Sequence, residues 1–418
     1  MYCCQERRRQ PRDIFAKLSG PVLGALALML PLVCASNAGA QGTGTPLRIG
    51  VVTDLSGVNL DYGGPTAVVA AKMAVEDAGG AVLGRPVEVL ALDHQNKADV
   101  ASQKVRQWFD QENVEMVTEL LNSSVALAVA KIAAEKNKIA MVVGAVTSRL
   151  TNEDCNANTI HYAIDTYALA NGTANALVKL GGRSWFFLTA DFSFGHSLEQ
   201  DTVSVVERSG GSVLGIARHP AFQGVDFSSY ILQAQASGAD VVGLANSSND
   251  TVNAVKAAAE FGVTPKQKLA ALLMQISDIH GLGLKQAQGL YFTDGWYWNL
   301  NEETRAFAQR FFKRTGRMPG MVQAGVYSAT LQYLKSVAAS GTSDSKRVLE
   351  QLHNTPIHDV FARDGRIRPD GRMVHDVYLV QAKTPGESKE PWDYYNVKAT
   401  IPADQAFLPI EKSKCSLR

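Results

Sequence analysis

From Leu47 onward the chain alternates between two hydrophobic periods, and that alternation limits its fold more than any other feature. Short runs rich in β-branched residues, beginning with Leu47-Arg48-Ile49-Gly50-Val51-Val52, give way to Ala-rich stretches with apolar residues every three or four positions. A period of two suits a strand and a period of 3.6 suits a helix. Their regular succession is the pattern of βαβ units on a parallel sheet. Strands are expected at 47–52, 87–93, 114–119 and 139–144, with helices at 64–78, 99–111 and 123–136. After an extended stretch at 158–165 a second series begins, with helices at 167–180, 196–209, 227–237 and 250–261. Its strands are expected at 184–189, 212–218, 241–245, 268–274 and 289–293. Two such arrays in tandem predict an α/β protein of two lobes.

Beyond Trp298 the pattern changes to helices at 302–314, 323–340 and 345–354 with no strand between them. Helices without strands of their own must pack on a sheet already built, and the first lobe is the simplest host. Asp364-Gly365 and Asp370-Gly371 are turn signals, so 365–368 and 375–381 are expected to close the chain as a hairpin-rich end. The expected lobes are therefore 46–165 with 298–376, and 166–297 with 377–414.

The N-terminus reads as an export signal. Arg7, Arg8, Arg9, Arg12 and Lys17 precede an almost uncharged apolar run over 18–35, and Ala38-Gly39-Ala40 follows. This is the three-part layout of a signal peptide with an A-x-A cleavage site, placing cleavage after Ala40 and the mature chain in the periplasm. Pro21 and Pro31 and the short run argue against a membrane span. A lipoprotein reading would use Cys34, but Val33 stands where a small residue is wanted. Taking the five basic and two acidic residues of 1–40 from 41 Lys+Arg and 40 Asp+Glu leaves 36 and 38 on 378 residues. A net charge of −2 implies no field for nucleic acid or anionic lipid. Only Cys155 and Cys415 remain in the mature chain. In an oxidising compartment they are either one structural disulfide or two free thiols.

Catalytic motifs are missing at each place where they would begin. Gly195-His196-Ser197-Leu198-Glu199 starts like a nucleophile elbow but lacks the closing glycine, and Gly281-Leu282-Gly283 has no third glycine at dinucleotide spacing. The eight histidines show no metal-binding spacing. No enzyme activity, cofactor or metal is expected, with an exported hydrolase the remote alternative.

Leu47-Arg48-Ile49-Gly50-Val51 through Gly57, Tyr62-Gly63-Gly64 and the helix ending Met73-Ala74-Val75-Glu76-Asp77-Ala78-Gly79-Gly80 resemble the branched-chain amino-acid-binding proteins. The likeness continues in order through Gly84-Arg85-Pro86-Val87-Glu88-Val89, Ser123-Ser124, Thr147-Ser148, Asp191-Phe192-Ser193-Phe194-Gly195 and Val326-Tyr327-Ser328-Ala329. It ends in the segment Asp364-Gly365 to Asp370-Gly371-Arg372 and covers about 46–410. The resemblance implies a type I periplasmic-binding-protein fold: two lobes, each a parallel-sheet βαβ sandwich, joined by three crossovers and closing by a hinge on a solute. It also implies delivery of the solute to ABC permease membrane subunits by a monomer. A sensory role on the same fold stays open.

The candidate ligand contacts fall at strand ends, where open α/β sheets place them. From the first lobe these are Tyr62, Asn122, Ser123 and Ser124, and the segment Gly144, Ala145, Thr147 and Ser148; from the second, Phe192, Asn246 and Gln275. Hydroxyls and a helix N-terminus suit a carboxylate, although Ser123 and Ser124 would serve equally as a plain helix cap. Trp296 and Trp298 lie at the expected crossover and fit hinge packing as well as ligand stacking. Amino-acid binders of this kind hold the ligand ammonium partly with an acidic side chain after a second-lobe strand, where this chain has Leu272-Leu273-Met274-Gln275-Ile276. Gln275 cannot neutralise a cation, and an unpaired buried ammonium is costly. Unless Asp191 or Asp278 substitutes, a ligand without an α-amino group, such as an aromatic or aliphatic acid, is favoured.

Overall fold

A computed structural model describes residues 44–264 and 266–418; the expected signal segment and cleavage site lie outside the described residues. The first sheet is built from β1 (Leu47–Thr53), β2 (Ala81–Val82), β3 (Arg85–Asp93), β4 (Val114–Glu119), β5 (Ile139–Val142) and β6 (Thr159–His161). Its order is β2-β3-β1-β4-β5-β6, parallel throughout except for the short β2. Helices α1 (Gly64–Asp77), α2 (Ala98–Gln111) and α3 (Ser123–Glu135) make the connections. Both faces of the sheet are covered, so its strands carry apolar residues on both sides. Leu47, Ile49 and Val51 point into the layer under α1, while Val52 joins Val105, Trp108 and Val129 beneath α2 and α3. Gly50 belongs to that second face: a Cβ there would meet the Trp108 ring at 2.4 Å.

The second sheet contains β7 (Ser184–Ala190), β8 (Ser212–His219), β9 (Val241–Ala245), β10 (Lys268–Ala271) and β11 (Tyr291–Asp294). Around them lie α4 (Thr166–Lys179), α5 (Ser193–Arg208), α6 (Ser228–Ala236), α7 (Ser248–Glu260), α8 (Ile276–Leu282) and α9 (Leu284–Ala287). The chain then returns to the first lobe with α10 (Glu302–Thr315), α11 (Met321–Ser340) and α12 (Ser345–Asn354); α10 and α11 both pack on α1. A two-stranded hairpin of β12 (Arg366–Ile367) and β13 (Met373–Val374) follows, then β14 (Val377–Ala382), β15 (Tyr395–Ile401) and α13 (Ala403–Ala406). The second sheet runs β15-β14-β11-β10-β9-β7-β8. The chain passes between the lobes three times: before α4, after β11, and between β13 and β14.

The expected tandem α/β arrays are present, with differences at three places. The strand expected over 268–274 stops at Ala271, because Gln275 and Asp278 cap a helix that begins at Ile276. The strand expected at 375–381 is β14, but it runs antiparallel to β11 in the second sheet, and the hairpin is closed by β13, just before that segment. The edge strand β15 went unpredicted. Its central residues Asn396-Val397-Lys398-Ala399-Thr400 are largely exposed and lack a clear alternation of apolar and polar positions.

Cys155 and Cys415 form the disulfide, with Cα atoms 5.6 Å apart. Ser413 Oγ donates to the Thr151 carbonyl and Lys414 N to Asn152 Oδ1, so the C-terminal tail is fastened to the loop after β5. No helix among the described residues is long and apolar enough to cross a membrane.

Candidate functional site

The C-terminal ends of β4 and β5 shape the first lobe's half of the site. At the end of β4, Glu119 and the following Leu120 adopt left-handed backbone angles, with φ of 74° and 58°. Non-glycine residues enter that region at a cost of order 1–3 kcal/mol, and such strain gathers at functional sites. The kink delivers Asn122 to the start of α3, where its Oδ1 accepts from Ser124 N at 2.9 Å and Val125 N at 3.2 Å. Glu119 itself is fully buried. Its Oε2 accepts from Leu121 N at 2.6 Å, while Oε1 has no hydrogen-bond partner among the described residues. Burial pushes this carboxyl well above the usual range. Gly63 and Gly144 make room for it, since a Cβ at either would lie 2.2 Å or 2.9 Å from Oε1.

Downstream of β5, Ala145 gives its carbonyl to His161 Nε2 at 2.8 Å, and Ser148 N donates to Thr166 Oγ1 at 3.0 Å. Both residues therefore serve to anchor the segment. Thr147 reaches across to the other lobe, its Oγ1 2.7 Å from Ser197 Oγ.

In the second lobe Phe192 is the N-cap residue of α5. Its ring lies against Phe194 at 5.6 Å and Phe222 at 4.8 Å between centroids. Asn246 is buried, bonded through Nδ2 to His219 Nε2 and through Oδ1 to Thr251 Oγ1, so its polar atoms are used inside the lobe. Gln275 caps α8 and sits beside Asp61, Arg317 and Gly320 in a separate crevice. Trp296 donates through Nε1 to Val360 O at 2.8 Å and packs edge-on to Phe307, and Trp298 donates to Trp392 O at 2.9 Å. Both tryptophans are thus held at the second crossing. Of the two acidic residues near enough to stand in for a carboxylate at 275, Asp191 pairs with His196 at 2.7 Å.

Asp278 is engaged where the lobes touch. Tyr62 Oη donates to Asp278 Oδ2 at 2.6 Å and accepts from Ser248 N at 2.8 Å, while Ser248 Oγ donates to Val58 O. Ser248 is left-handed, with φ of 56°. Asp278 Oδ2 also accepts from Gln275 N at 2.8 Å in the capping box of α8. Burial raises Asp278 to about 7, and Tyr62 well above its ordinary value. Ser124 Oγ to Ser193 Oγ, at 3.3 Å, adds a further contact. The lobes are closed on each other.

Between them lies a cavity of about 30 Å³ walled by Tyr62, Asn122, Ser123, Gly144 and Val146 on one side and by Phe192, Phe194, Ser247 and Leu273 on the other. Asn59, Phe192 and Ser247 also border a second cavity of about 290 Å³. Five of the sequence-predicted contacts therefore meet at the small cavity. Ser124 and Thr147 make lobe-to-lobe bonds, whereas Ala145, Ser148, Asn246, Gln275 and Trp296 serve other parts of the fold. Asn59, Leu121, Val146, Phe194, Ser247 and Leu273 were not foreseen. Ser247 stands one residue past Asn246 and follows from the same strand-end rule once the strand's limit is known; nothing in the sequence marks Asn59. No Lys or Arg lines the small cavity, so an anion there would be met by hydroxyls, amides and the N-terminus of α3. Among the described residues no group of His, Cys, Asp and Glu could hold a metal.

Residues 46–389 match the periplasmic binding protein family. A periplasmic binding protein from Burkholderia mallei of known structure is 51% identical, with a TM-score of 0.87 over 89% of this chain and 99% of its own. A branched chain amino acid ABC transporter periplasmic ligand-binding protein from Burkholderia xenovorans LB400 is 37% identical, with a TM-score of 0.80 and the same coverage. A Leu/Ile/Val-binding protein homolog 4 from Brucella abortus (strain 2308) is 25% identical over 94% of this chain and 98% of its length. Two α/β lobes closed on a cavity between them and a match through most of the described chain agree: this chain belongs to the periplasmic binding protein family, the solute-binding components of ABC transporters and not a class of enzymes.

Proposed function

We propose that this protein captures a small carboxylate-bearing solute in the periplasm and presents it to the membrane permease of an ABC importer. The observation that carries the reading is the small interlobe cavity, where Asn122 and Ser123 at the start of α3 face Phe192, Phe194 and Ser247. The N-terminal end of α3 favours an anion through the helix dipole, with Ser124 N and Val125 N taken by Asn122 Oδ1, and apolar walls exclude the water that would compete for it. The lobes that close on the solute are taken as 46–165 with 298–376 and 166–297 with 377–414, a division that the two sheets and three crossings support. Similarity to a branched chain amino acid ligand-binding protein makes amino acids the first candidates. The small cavity, however, has no acidic lining residue to receive an α-ammonium, which keeps aromatic and aliphatic acids beside them. Titration calorimetry of the mature chain with amino acids, aromatic acids and short aliphatic acids, each paired with its carboxamide, tests this. Binding of an acid with loss of at least tenfold in affinity for its amide is the expected result. Equal affinity for acid and amide would refute the carboxylate assignment.

A further inference from the structure

The small cavity has a larger neighbour that shares Asn59, Phe192 and Ser247 with it and contains a feature that no fold requirement explains. Ser247 and Asp250 have the spacing of a helix capping box at the start of α7, Ser-x-x-Asp. They do not form one: the Ser247 side chain makes no capping bond, and no hydrogen bond or ion pair reaches the Asp250 carboxylate among the described residues. Both side chains instead line the 290 Å³ cavity together with Asn249 and Asn253, opposite Phe192 and Phe222. Ser248, between them, is committed to the lobe contact through Tyr62 and Val58, which fixes the start of α7 over this space. Asp250 is half-buried, and burial alone raises it to about 6. It is thus mostly ionised at neutral pH and lacks a cation. Asp278, the other carboxylate near the cleft, is already occupied by Tyr62 and Gln275 N.

We propose that the cavity bordered by Phe192, Phe222, Asn249, Asp250 and Asn253 is a second subsite that takes the far end of the solute, an apolar body carrying a protonated amino group. This extends the proposed capture of a carboxylate and rests on it. The acid end sits at Asn122 and Ser123, the body passes Phe192, which borders both cavities, and the amino end meets Asp250. The solute is therefore an elongated amino-bearing acid, longer than a compact α-amino acid whose two charges share one carbon.

The test is titration calorimetry with 4-(aminomethyl)benzoate, 4-methylbenzoate and leucine on the mature protein and its Asp250→Asn variant. The expected result is at least a tenfold preference of the wild type for 4-(aminomethyl)benzoate over 4-methylbenzoate. In the variant that preference should fall to within twofold, with the affinity for 4-methylbenzoate unchanged, which also shows that the cleft is intact. The proposal is overturned if the wild type shows no preference, if the preference survives in the variant, or if the variant weakens both ring acids equally. Binding of leucine with neither ring acid overturns it too, leaving carboxylate capture standing. If no carboxylate binds at all, the reading on which it rests falls with it.

Discussion

Changing Tyr62 to Phe removes one oxygen from the place where the lobes are tied, and its effect can be worked out from three atoms. In the closed form Ser248 N loses its acceptor at 2.8 Å, and Asp278 Oδ2 loses its donor at 2.6 Å but keeps Gln275 N. A buried N–H left without a partner costs about 1–3 kcal/mol, and a hydrogen bond of this kind contributes about 1 kcal/mol. When the lobes open, water replaces the hydroxyl at both groups, so the cost falls on the closed form alone. A value of about 2 kcal/mol shifts the closed-to-open ratio roughly 30-fold, since about 1.4 kcal/mol is a factor of ten. If the solute is held only by the closed form, apparent affinity falls by up to that factor. Small-angle scattering of the unliganded variant should show a larger radius of gyration, and calorimetry with the tightest-binding acid of the screen should show affinity reduced by about 10- to 30-fold. The ring remains, so the folded lobes should melt nearly as before. An affinity within twofold of wild type, together with an unchanged scattering profile, would refute the claim that this hydroxyl ties the lobes.

Two further outcomes follow from groups outside the two interlobe cavities. Replacing Cys155 and Cys415 by Ser removes a cross-link spanning 260 residues, which chain entropy values at about 5.5 kcal/mol. For the 378 residues of 41–418 with an unfolding entropy of about 2.1 cal/mol/K per residue, that lowers Tm by about 7 °C by calorimetry, and a change below about 1 °C would refute it. Closure should also depend on pH through Asp278, which burial raises from its ordinary 3.8 to about 7. The closed form then holds the extra proton between those values, so its advantage is full below about pH 4 and is lost as pH rises through 7. Scattering at pH 5 and pH 8 should show the unliganded protein more open at the higher pH, and an equal change in Asp278→Asn would exclude this carboxyl as the cause.

Most of the fold could be read from the sequence because a doubly covered parallel sheet writes its strands as apolar runs between helices of different period. Leu47 to Thr53 and Val241 to Ala245 are of this kind and were placed to within a residue. Reading failed where one of those conditions lapsed. β15 lies at a sheet edge with Val397 exposed, so no buried face imposed a pattern. Met373 to Ala382 is one apolar-rich stretch in sequence, but its two ends belong to different sheets, and only the crossing between lobes divides it.

Part of the candidate site was legible, because strand ends in an α/β sheet have few places to go, and Tyr62, Asn122, Ser123, Gly144 and Phe192 do converge on one cavity. What one-dimensional spacing could not decide was the employment of each polar group. A search for an acidic side chain at position 275 finds glutamine, yet a carboxylate stands three residues on, at Asp278. It cannot simply serve a ligand, because Tyr62 from the other lobe and the backbone of Gln275 already reach it. Asp250 is the reverse case. Its spacing from Ser247 reads as an ordinary helix cap, which would consume the carboxylate, but the cap is not made and the group faces a cavity. Which of two carboxylates can bind a cation is therefore settled by the donors that reach each of them when the lobes close. That depends on residues 216 and 3 positions away for Asp278 and is invisible to any local pattern.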